Sequence, residues 1–273
     1  MPSILPIRLI PLFAGLCCAA ASAAPTPDYD YPLTNQGEDV GITIAMFHPD
    51  LRLAEDVGEI PGYEVKLPPY ENTQWQYRGQ VKLILLDYSN IADDVNAIYR
   101  ETYQTEFENA VAKNIGRLFT ARGFEASGDL DGMKALDTDE RQDVMLTSIP
   151  SATLSFMRNV DSRECTDDHC IEKGELMLEG QFLYQLVEPV TGSAVALNRL
   201  NVHSLRIRHD YVTETRGDDV VRDTRAEAVA TSVQELHDGI VKKIDEMISR
   251  DQLVALVGTI QDLKSGDVKL RER

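Results

Sequence analysis

The chain has 273 residues, of which 43% are hydrophobic and 26% are charged, so it can bury a core as one large domain or two small ones. Its formal net charge at pH 7 is −18. A surface this acidic repels nucleic-acid phosphates, anionic lipids and anionic glycans at long range, which argues against nucleic-acid partners. After the first 23 residues, no stretch is apolar enough to predict a membrane-spanning helix.

Residues 1–23 have the pattern of a secretory signal peptide. Arg8 precedes an apolar run from Leu9 to Ala21, and the segment ends in small residues. We therefore expect cleavage before Ala24. The mature protein is predicted to be exported to the periplasm, or to the outer membrane or cell surface of a Gram-negative bacterium.

Two cysteines, Cys17 and Cys18, lie inside the predicted signal peptide. A lipoprotein signal needs a small residue before the acylated cysteine, and Leu16 before Cys17 fits that need poorly. A soluble cleaved form is the preferred interpretation, lipidation is the alternative, and association with a membrane is left open.

Cys165 and Cys170 are the only cysteines after residue 23, and we expect them to form a disulfide in an oxidising compartment. The alternative is a zinc site that uses both thiolates, His169 and the neighbouring carboxylates. Exported thiols usually oxidise, and so short a segment leaves little freedom for tetrahedral ligands. The disulfide is therefore preferred, and no metal is predicted.

Residues 24–76 are rich in Pro, Tyr and Asp, which is typical of an extended N-terminal arm, with one strand predicted at Val40–Phe47. We expect the aromatic residues of this arm to anchor it to the body, and stacking on a sugar or a partner is the alternative. These residues are Tyr29, Tyr31, Tyr63, Tyr70 and Trp75.

A single domain is predicted over residues 77–265, followed by a charged tail at 266–273. It begins with an apolar strand at 80–88 that we expect to be buried on both faces. A long amphipathic helix comes next and is predicted to end at Gly123. The apolar stripe of this helix is Tyr99, Tyr103, Phe107, Val111, Ile115 and Leu118.

The second half of the domain begins with a short strand at 124–126 and an acidic, turn-rich segment at 127–143 with one helical turn. A strand at 144–157 follows. A β-hairpin is then predicted within 174–208, with its turn at Glu188–Gly192. Residues 211–221 are polar and acidic, and we expect a loop there.

Two capping boxes predict the starts of the last helices, a long one after Thr224 and a short one after Ser249. The long helix should bury Val229, Val233, Leu236, Ile240, Ile244 and Met247. The order of elements indicates an α/β or α+β fold, in which one layered domain packs a mixed sheet against two long helices.

Recognised catalytic motifs are absent from the sequence, so we predict no enzyme, no catalytic residue and no cofactor. The histidines are expected at the surface or its boundary, with His203 and His209 six residues apart on one strand and His237 on the polar side of its helix. The acidic pairs at 93–94, 167–168 and 218–219 fall in loops or first helical turns. Asp129-Leu-Asp131-Gly132 begins like a calcium loop, but Thr138 stands where the bidentate Glu would be needed.

Three stretches, in the same order, resemble the neuraminyllactose-binding hemagglutinin family, the HpaA-like envelope proteins. The first is 80–126, with its strand, the entry Tyr88–Ala92 and a helix that ends in Arg122-Gly123-Phe124. The others are the hairpin at 182–202, with its Glu-Pro-x-x-Gly turn, and the terminal stretch at 238–264.

The resemblance implies an outer-membrane or flagellar-sheath protein that acts as a sialoglycan-binding adhesin. This chain departs from the family in two respects: its lipoprotein signal is poor, and the family's basic binding cluster corresponds here to the acidic loop Cys165–Cys170. Sialic acid carries a carboxylate that prefers Arg or Lys donors. From the resemblance we therefore expect the family's fold and envelope location in this chain, and we assign no ligand-binding residue from it.

The sequence thus predicts a non-enzymatic exported envelope protein with a glycan or an envelope protein as its partner. The alternative is a soluble periplasmic scaffolding or assembly module that binds a protein. A hydrolase with an unrecognised site is the third hypothesis.

Overall fold

The computed structural model describes residues 24–33, 37–54, 92–130 and 135–265, with only the backbone at residues 129, 257–259 and 262–265. The predicted signal peptide, the predicted strand at 80–88 and the charged tail lie outside the described residues. So do Tyr63, Tyr70 and Trp75 of the predicted arm.

The described chain begins with two strands, continues with helices around a third strand, then has five strands in succession, and ends with two helices. The strands are β1 Thr43–Phe47, β2 Asp50–Leu53, β3 Glu125–Leu130, β4 Leu146–Cys165, β5 His169–Glu188, β6 Ser193–Asn201, β7 Arg208–Arg216 and β8 Asp219–Asp223. The α-helices are α1 Asp93–Ile98, α2 Gln104–Ala121, α3 Thr138–Asp143, α4 Arg225–Met247 and α5 Arg250–Ser265. A π-helical segment, Tyr99–Tyr103, joins α1 to α2, and a 3₁₀ turn, Val202–Leu205, follows β6.

In the described part of the chain the eight strands form one mixed sheet, in the order β3-β1-β4-β5-β7-β8, with β2 beside β4 and β6 beside β5. β1 pairs in parallel with both β3 and β4, and β2 pairs in parallel with a later part of β4. The remaining pairs, β4 with β5, β5 with β6 and β7, and β7 with β8, are antiparallel. The predicted α/β architecture of a mixed sheet packed against helices is confirmed. The strand predicted at Val40–Phe47 exists as β1, inside this sheet.

The predicted apolar stripe of the first long helix is confirmed, since all six of its residues are buried. Residues spaced by four drift around a regular α-helix, which has 3.6 residues per turn. The π-helical segment at Tyr99–Tyr103 has wider turns and compensates for part of this drift. Tyr99 and Tyr103 therefore both face the core, where their hydroxyls donate to Leu51 O (3.0 Å) and Ala226 O (3.1 Å).

Gly123 ends this helix, as predicted. Its φ is +83°, a left-handed conformation that favours glycine. A Cβ at Gly123 would lie 1.9 Å from the carbonyl oxygen of Glu38, so the position also requires the absence of a side chain.

The capping box predicted at Thr224 is wrong, because the Thr224 side chain makes no cap bond to α4. Its Oγ1 instead accepts a hydrogen bond from Val212 N of β7 at 2.8 Å. The structure places a complete capping box at α3, between Asp137 and Glu140. Ser249 does cap α5, because its Oγ accepts from Gln252 N at 3.2 Å.

The prediction of a loop at 211–221 is also wrong, since most of this segment forms β7 and β8. β4 likewise extends past the predicted end at residue 157 to Cys165. These strand segments are largely exposed, so their sequences lack the apolar alternation that marks a half-buried strand.

The segment 24–33, which we call the N-terminal strap, lies over α2 and α4. Tyr29 packs its ring against Phe107 and His237, with ring centroids 6.2 and 5.1 Å apart. The Tyr31 hydroxyl donates to Asp245 Oδ2 at 3.2 Å. Tyr29 and Tyr31, the two described members of the aromatic set expected to anchor the arm, therefore do so.

Candidate interaction site on the distal sheet

Part of the sheet extends beyond the helices. It comprises residues 159–165 of β4, residues 169–175 of β5, and the strands β7 and β8, and we call it the distal sheet. Every residue from 159 to 168 is exposed, as are all five residues of β8. Within the described ranges, β8 pairs only with β7, which leaves its outer backbone edge without a strand partner.

The tip of the distal sheet is closed by the predicted disulfide. Cys165 and Cys170 are the last partners of the β4–β5 register, and their sulfur atoms are bonded to each other. Between them, Thr166 N donates to His169 O at 2.7 Å and closes the turn. The bonded sulfurs support the disulfide over the zinc alternative. Within the residues that the structure describes, His, Cys, Asp and Glu form no group of three that could hold a metal ion.

Two acidic turns meet at this tip. Gly217 N, in the turn between β7 and β8, donates to Asp168 O in the β4–β5 turn at 2.6 Å. The acidic pairs at 167–168 and 218–219 are therefore neighbours in space, although some 50 residues separate them in the sequence. His169 bridges the same two hairpins, since its Nε2 lies 2.9 Å from Glu214 Oε1.

Aliphatic side chains are exposed on the same sheet. Val160, Val220 and Val221 have 45%, 66% and 53% of their surface accessible. Val160 of β4 pairs with Gly174 of β5. Val220 of β8 pairs with Thr215 of β7, and Thr215 in turn pairs with Cys170 of β5. Since side chains alternate across a sheet and Cys170 and Gly174 are four residues apart on β5, Val160 and Val220 lie on the same face. Exposed aliphatic groups next to an unpaired strand edge are typical of a protein-docking surface.

A cluster of charges holds the base of the distal sheet against the helices, and we call it the basal cluster. It consists of Asp94, Arg158, Glu172, Tyr211, Asp223 and Arg225. Arg158 Nη1 lies 3.0 Å from Asp94 Oδ2 and 3.9 Å from Glu172 Oε1. Arg225 makes ion pairs with both Asp94 and Asp223. These contacts fix the orientation of the distal sheet relative to α1 and α4.

Within the basal cluster, the Tyr211 hydroxyl donates to Glu172 Oε1 at 2.7 Å. Burial, and then this bond to a carboxylate, raise the pKa of Tyr211, so the hydroxyl remains a donor. For Asp223, partial burial would raise the pKa, but hydrogen bonds from Arg225 and its charge outweigh burial and hold the Asp223 pKa below its ordinary value.

The lowered pKa of Asp223 predicts a pH dependence of stability. A carboxyl whose pKa is lower in the folded state stabilises the fold above its unfolded pKa of about 3.9, and this contribution is lost as pH falls through the folded pKa. Asp223→Asn should therefore reduce the free energy of unfolding at pH 7 and reduce it by less at pH 2.5. Urea unfolding at the two pH values measures this difference, with Asp210→Asn, at an exposed position of β7, as the control. An equal loss at both pH values would contradict the role of the Arg225 pair.

Removal of the disulfide should have a modest effect. It closes a loop of only six residues, so the chain-entropy argument gives about 2 kcal/mol. The double variant Cys165→Ser, Cys170→Ser is expected to unfold in urea with that loss, and added reductant should not change it further. A loss of 5 kcal/mol or more would mean that the bond supports the whole fold and not only the tip.

A shallow depression of about 280 Å³ lies on the sheet near β2. Its polar side chains are Asp50, Arg52, Ser151, Thr153 and Gln181. Asp50 and Arg52 form an ion pair there. Hydroxyl, amide and carboxylate groups of this kind can hydrogen-bond a hydroxyl-rich ligand, so the depression is a second candidate site.

Sequence reasoning placed His237 on the polar side of α4, and this prediction is wrong because the side chain is fully buried. Asn114 of α2 is buried beside it, with Nδ2 3.0 Å from His237 Nε2. The sequence does contain the signal: His237 stands four residues after Val233 and three before Ile240, which places it on the apolar stripe. His203 and His209 do not share a strand, since His203 lies in the 3₁₀ turn.

No protein-family model matches this chain, and a comparison with curated protein sequences finds no match either. The fold is similar to the crystal structure of a neuraminyllactose-binding hemagglutinin homologue from Helicobacter pylori. The TM-score is 0.55 at 11% sequence identity, and the alignment covers 87% of this chain and 100% of that one. At this identity the likeness shows a shared fold alone, the one that the sequence resemblance implied.

A PelC dodecamer from Paraburkholderia phytofirmans also aligns, with a TM-score of 0.24, 8% identity, and coverage of 76% of this chain and 95% of that one. A TM-score this low supports no conclusion about the fold or function of this chain. In the part of the chain that the structure describes, none of the helices combines the length and apolar character needed to cross a bilayer.

Proposed function

We propose that this chain is a non-enzymatic, exported protein of the bacterial cell envelope that binds a protein partner through the distal sheet. The observation that carries the proposal is the exposed edge strand β8, with Val220 and Val221. The exposed Val160 lies on the same face as Val220, on β4, across β5 and β7. An extended segment of a partner can add to such an edge through backbone hydrogen bonds, while its apolar side chains cover the valines.

The geometry of the distal sheet supports this proposal in two further ways. The disulfide at Cys165–Cys170 and the bond between Gly217 N and Asp168 O limit the motion of both turns. The basal cluster fixes the other end of the sheet. A surface held at both ends loses little conformational entropy on binding, which favours affinity.

Export is supported by the signal-peptide pattern of residues 1–23, and the fold shared with the Helicobacter pylori hemagglutinin homologue is consistent with an envelope protein. Envelope fractionation with surface proteolysis tests the location. Mature protein in the outer membrane or on the surface is the expected result for an adhesin or sheath component. Mature protein only in the soluble periplasm would instead favour the scaffolding role, and cytoplasmic protein would contradict export.

Partner binding is tested with the variant Val160→Asp, Val220→Asp. Both positions are exposed, so the variant should fold normally, yet two new charges on the docking face should weaken capture of envelope proteins at least tenfold. Val190→Asp and Val254→Asp change exposed valines elsewhere and serve as controls. If all the variants capture the same proteins equally well, the distal sheet is not the docking surface.

Glycan binding is the second candidate function, and the depression beside Asp50 and Arg52 favours it. Because Asp50 already pairs with Arg52, the pair suits an uncharged sugar better than a sialic acid. A glycan array probed with the wild type and with Thr153→Val, Gln181→Leu tests this candidate. Binding that the double variant does not reduce would exclude the depression as the glycan site.

A further inference from the structure

The N-terminal strap covers a histidine that belongs to the core. Tyr29 lies against the ring of His237, which has no accessible surface. Polar contacts tie the strap to both long helices: Asp28 N donates to Gln234 Oε1 (3.3 Å), and Tyr29 O accepts from Asn114 Nδ2 (2.8 Å). Tyr31 adds a contact to Asp245 of α4 and Asp30 adds one to Arg117 of α2. All four contacts join the strap to these helices and not to the sheet, so the strap can lift while the sheet stays folded.

The hydrogen bonds around His237 determine which ring nitrogen carries the proton when the side chain is neutral. Asn114 Oδ1 accepts from Arg117 Nη1 at 3.0 Å, which orients the amide so that Nδ2 faces His237 Nε2 at 3.0 Å. A carboxylate can only accept, so the neutral ring carries its proton on Nδ1, which donates to Asp238 Oδ1 at 3.0 Å. Nε2 then faces Asn114 Nδ2, whose two hydrogens also have Tyr29 O and Ala110 O within reach.

We propose that the strap is an acid-sensitive cover, which protonation of His237 releases from the groove between α2 and α4. A proton on Nε2 would remove the acceptor that faces Asn114 Nδ2 and would place a charge beneath Tyr29, where the ring has no accessible surface. Lifting the strap exposes the ring to water, where the charge is well solvated. Acid therefore favours the lifted state, and the groove that contains Phe107 and His237 becomes accessible.

The groups that face His237 come from each element packed against it. The strap contributes Asp28 and Tyr29, α2 contributes Asn114 and the carbonyl of Ala110, and α4 contributes Asp238. Burial lowers the pKa of His237, and this effect outweighs the opposite influence of Asp238, the Ala110 carbonyl and Asp28.

The sign of the pH effect follows from this lowered pKa. His237 in the closed strap is neutral at pH 7, and an exposed histidine titrates at about pH 6.5. The lifted state thus binds a proton more readily than the closed state. As pH falls below about 6.5, the equilibrium constant for lifting should rise by up to about tenfold per pH unit, until the pKa of the closed state is reached.

Hydrogen exchange of the strap amides, corrected for the intrinsic pH dependence, tests the proposal on the full mature chain. The Asp28 amide, which donates to Gln234 Oε1, should lose its protection between pH 7.5 and 5.0, while β4 and β5 keep theirs. In His237→Gln the amide oxygen can still accept from Asn114 but does not titrate, so protection should be equal at both pH values. His203→Gln, at an exposed position, should behave like the wild type.

An NMR titration of the wild type makes the test independent of any variant at a buried position. The ring signals of His237 and the strap amides should change with one common midpoint below pH 6.5. Unchanged strap protection from pH 7.5 to 5.0, a different midpoint for the strap, or an unaltered pH response in a folded His237→Gln protein would each overturn the proposal.

Discussion

Replacement of Gly174 with alanine should lower the free energy of unfolding by about 3 kcal/mol, in the upper range for overpacking. Gly174 lies at the base of the distal sheet, between Val160 of β4 and Tyr211 of β7. A Cβ there would lie 2.3 Å from the carbonyl oxygen of Asn159 and 2.8 Å from Tyr211 Cε1. The backbone contact cannot be relieved by rotating a side chain, so β4 and β5 must separate.

Gly116→Ala is the matched control for this experiment. Gly116 lies in α2, and a Cβ there would have as its nearest neighbour Ala126 Cβ at 3.9 Å, an ordinary contact. Because alanine is the better helix former, this variant should be more stable by about 0.5–1 kcal/mol. Chemical denaturation measures both variants. A Gly174→Ala variant as stable as the wild type would contradict the close packing described at the base of the distal sheet.

Phe107→Ala is expected to cause the largest loss, about 4 kcal/mol, because it leaves a cavity under both the strap and the sheet. Phe107 is fully buried, and its ring centroid lies 6.2 Å from that of Tyr29 and 6.4 Å from that of Tyr99. The substitution removes the ring against which Tyr29 packs, so the strap should also lose protection against hydrogen exchange at neutral pH.

The conservative variant Phe107→Leu fills most of this space and should cost less than half as much. Thermal and urea unfolding give the stabilities, and hydrogen exchange follows the strap. An equal loss in the two variants would mean that the aromatic contacts, and not the cavity, determine the effect. Strap protection that stays unchanged in Phe107→Ala would show that Tyr29 does not depend on this side chain.

The buried helices could be predicted because their apolar residues recur with a helical period. All six residues of the Tyr99–Leu118 stripe, together with Gly123 at the helix end, occupy the predicted environments. The Cys165–Cys170 pairing was also predictable, since no other cysteine follows residue 23. In each case the determining interaction is local in sequence.

The distal sheet could not be predicted in the same way. Residues 159–165 and all of β8 are exposed, so Val220, Val221 and their neighbours show no alternation, and their composition resembles that of a loop. The meeting of Gly217 with Asp168 depends on pairing between β5 and β7, which is a tertiary contact. His237 was missed for another reason: its polar side chain suggested solvent, although its spacing from Val233 placed it in the core.

The central claim, that the distal sheet docks a protein partner in the envelope, is tested most directly by photo-crosslinking in cells. A photoreactive amino acid at Val220 is compared with the same amino acid at Val254, an exposed position on α5. The proposal predicts a discrete crosslinked protein from position 220 that disappears in the Val160→Asp background and does not form from position 254. Equal crosslinking from both positions, or none from position 220 in any envelope fraction, would contradict it.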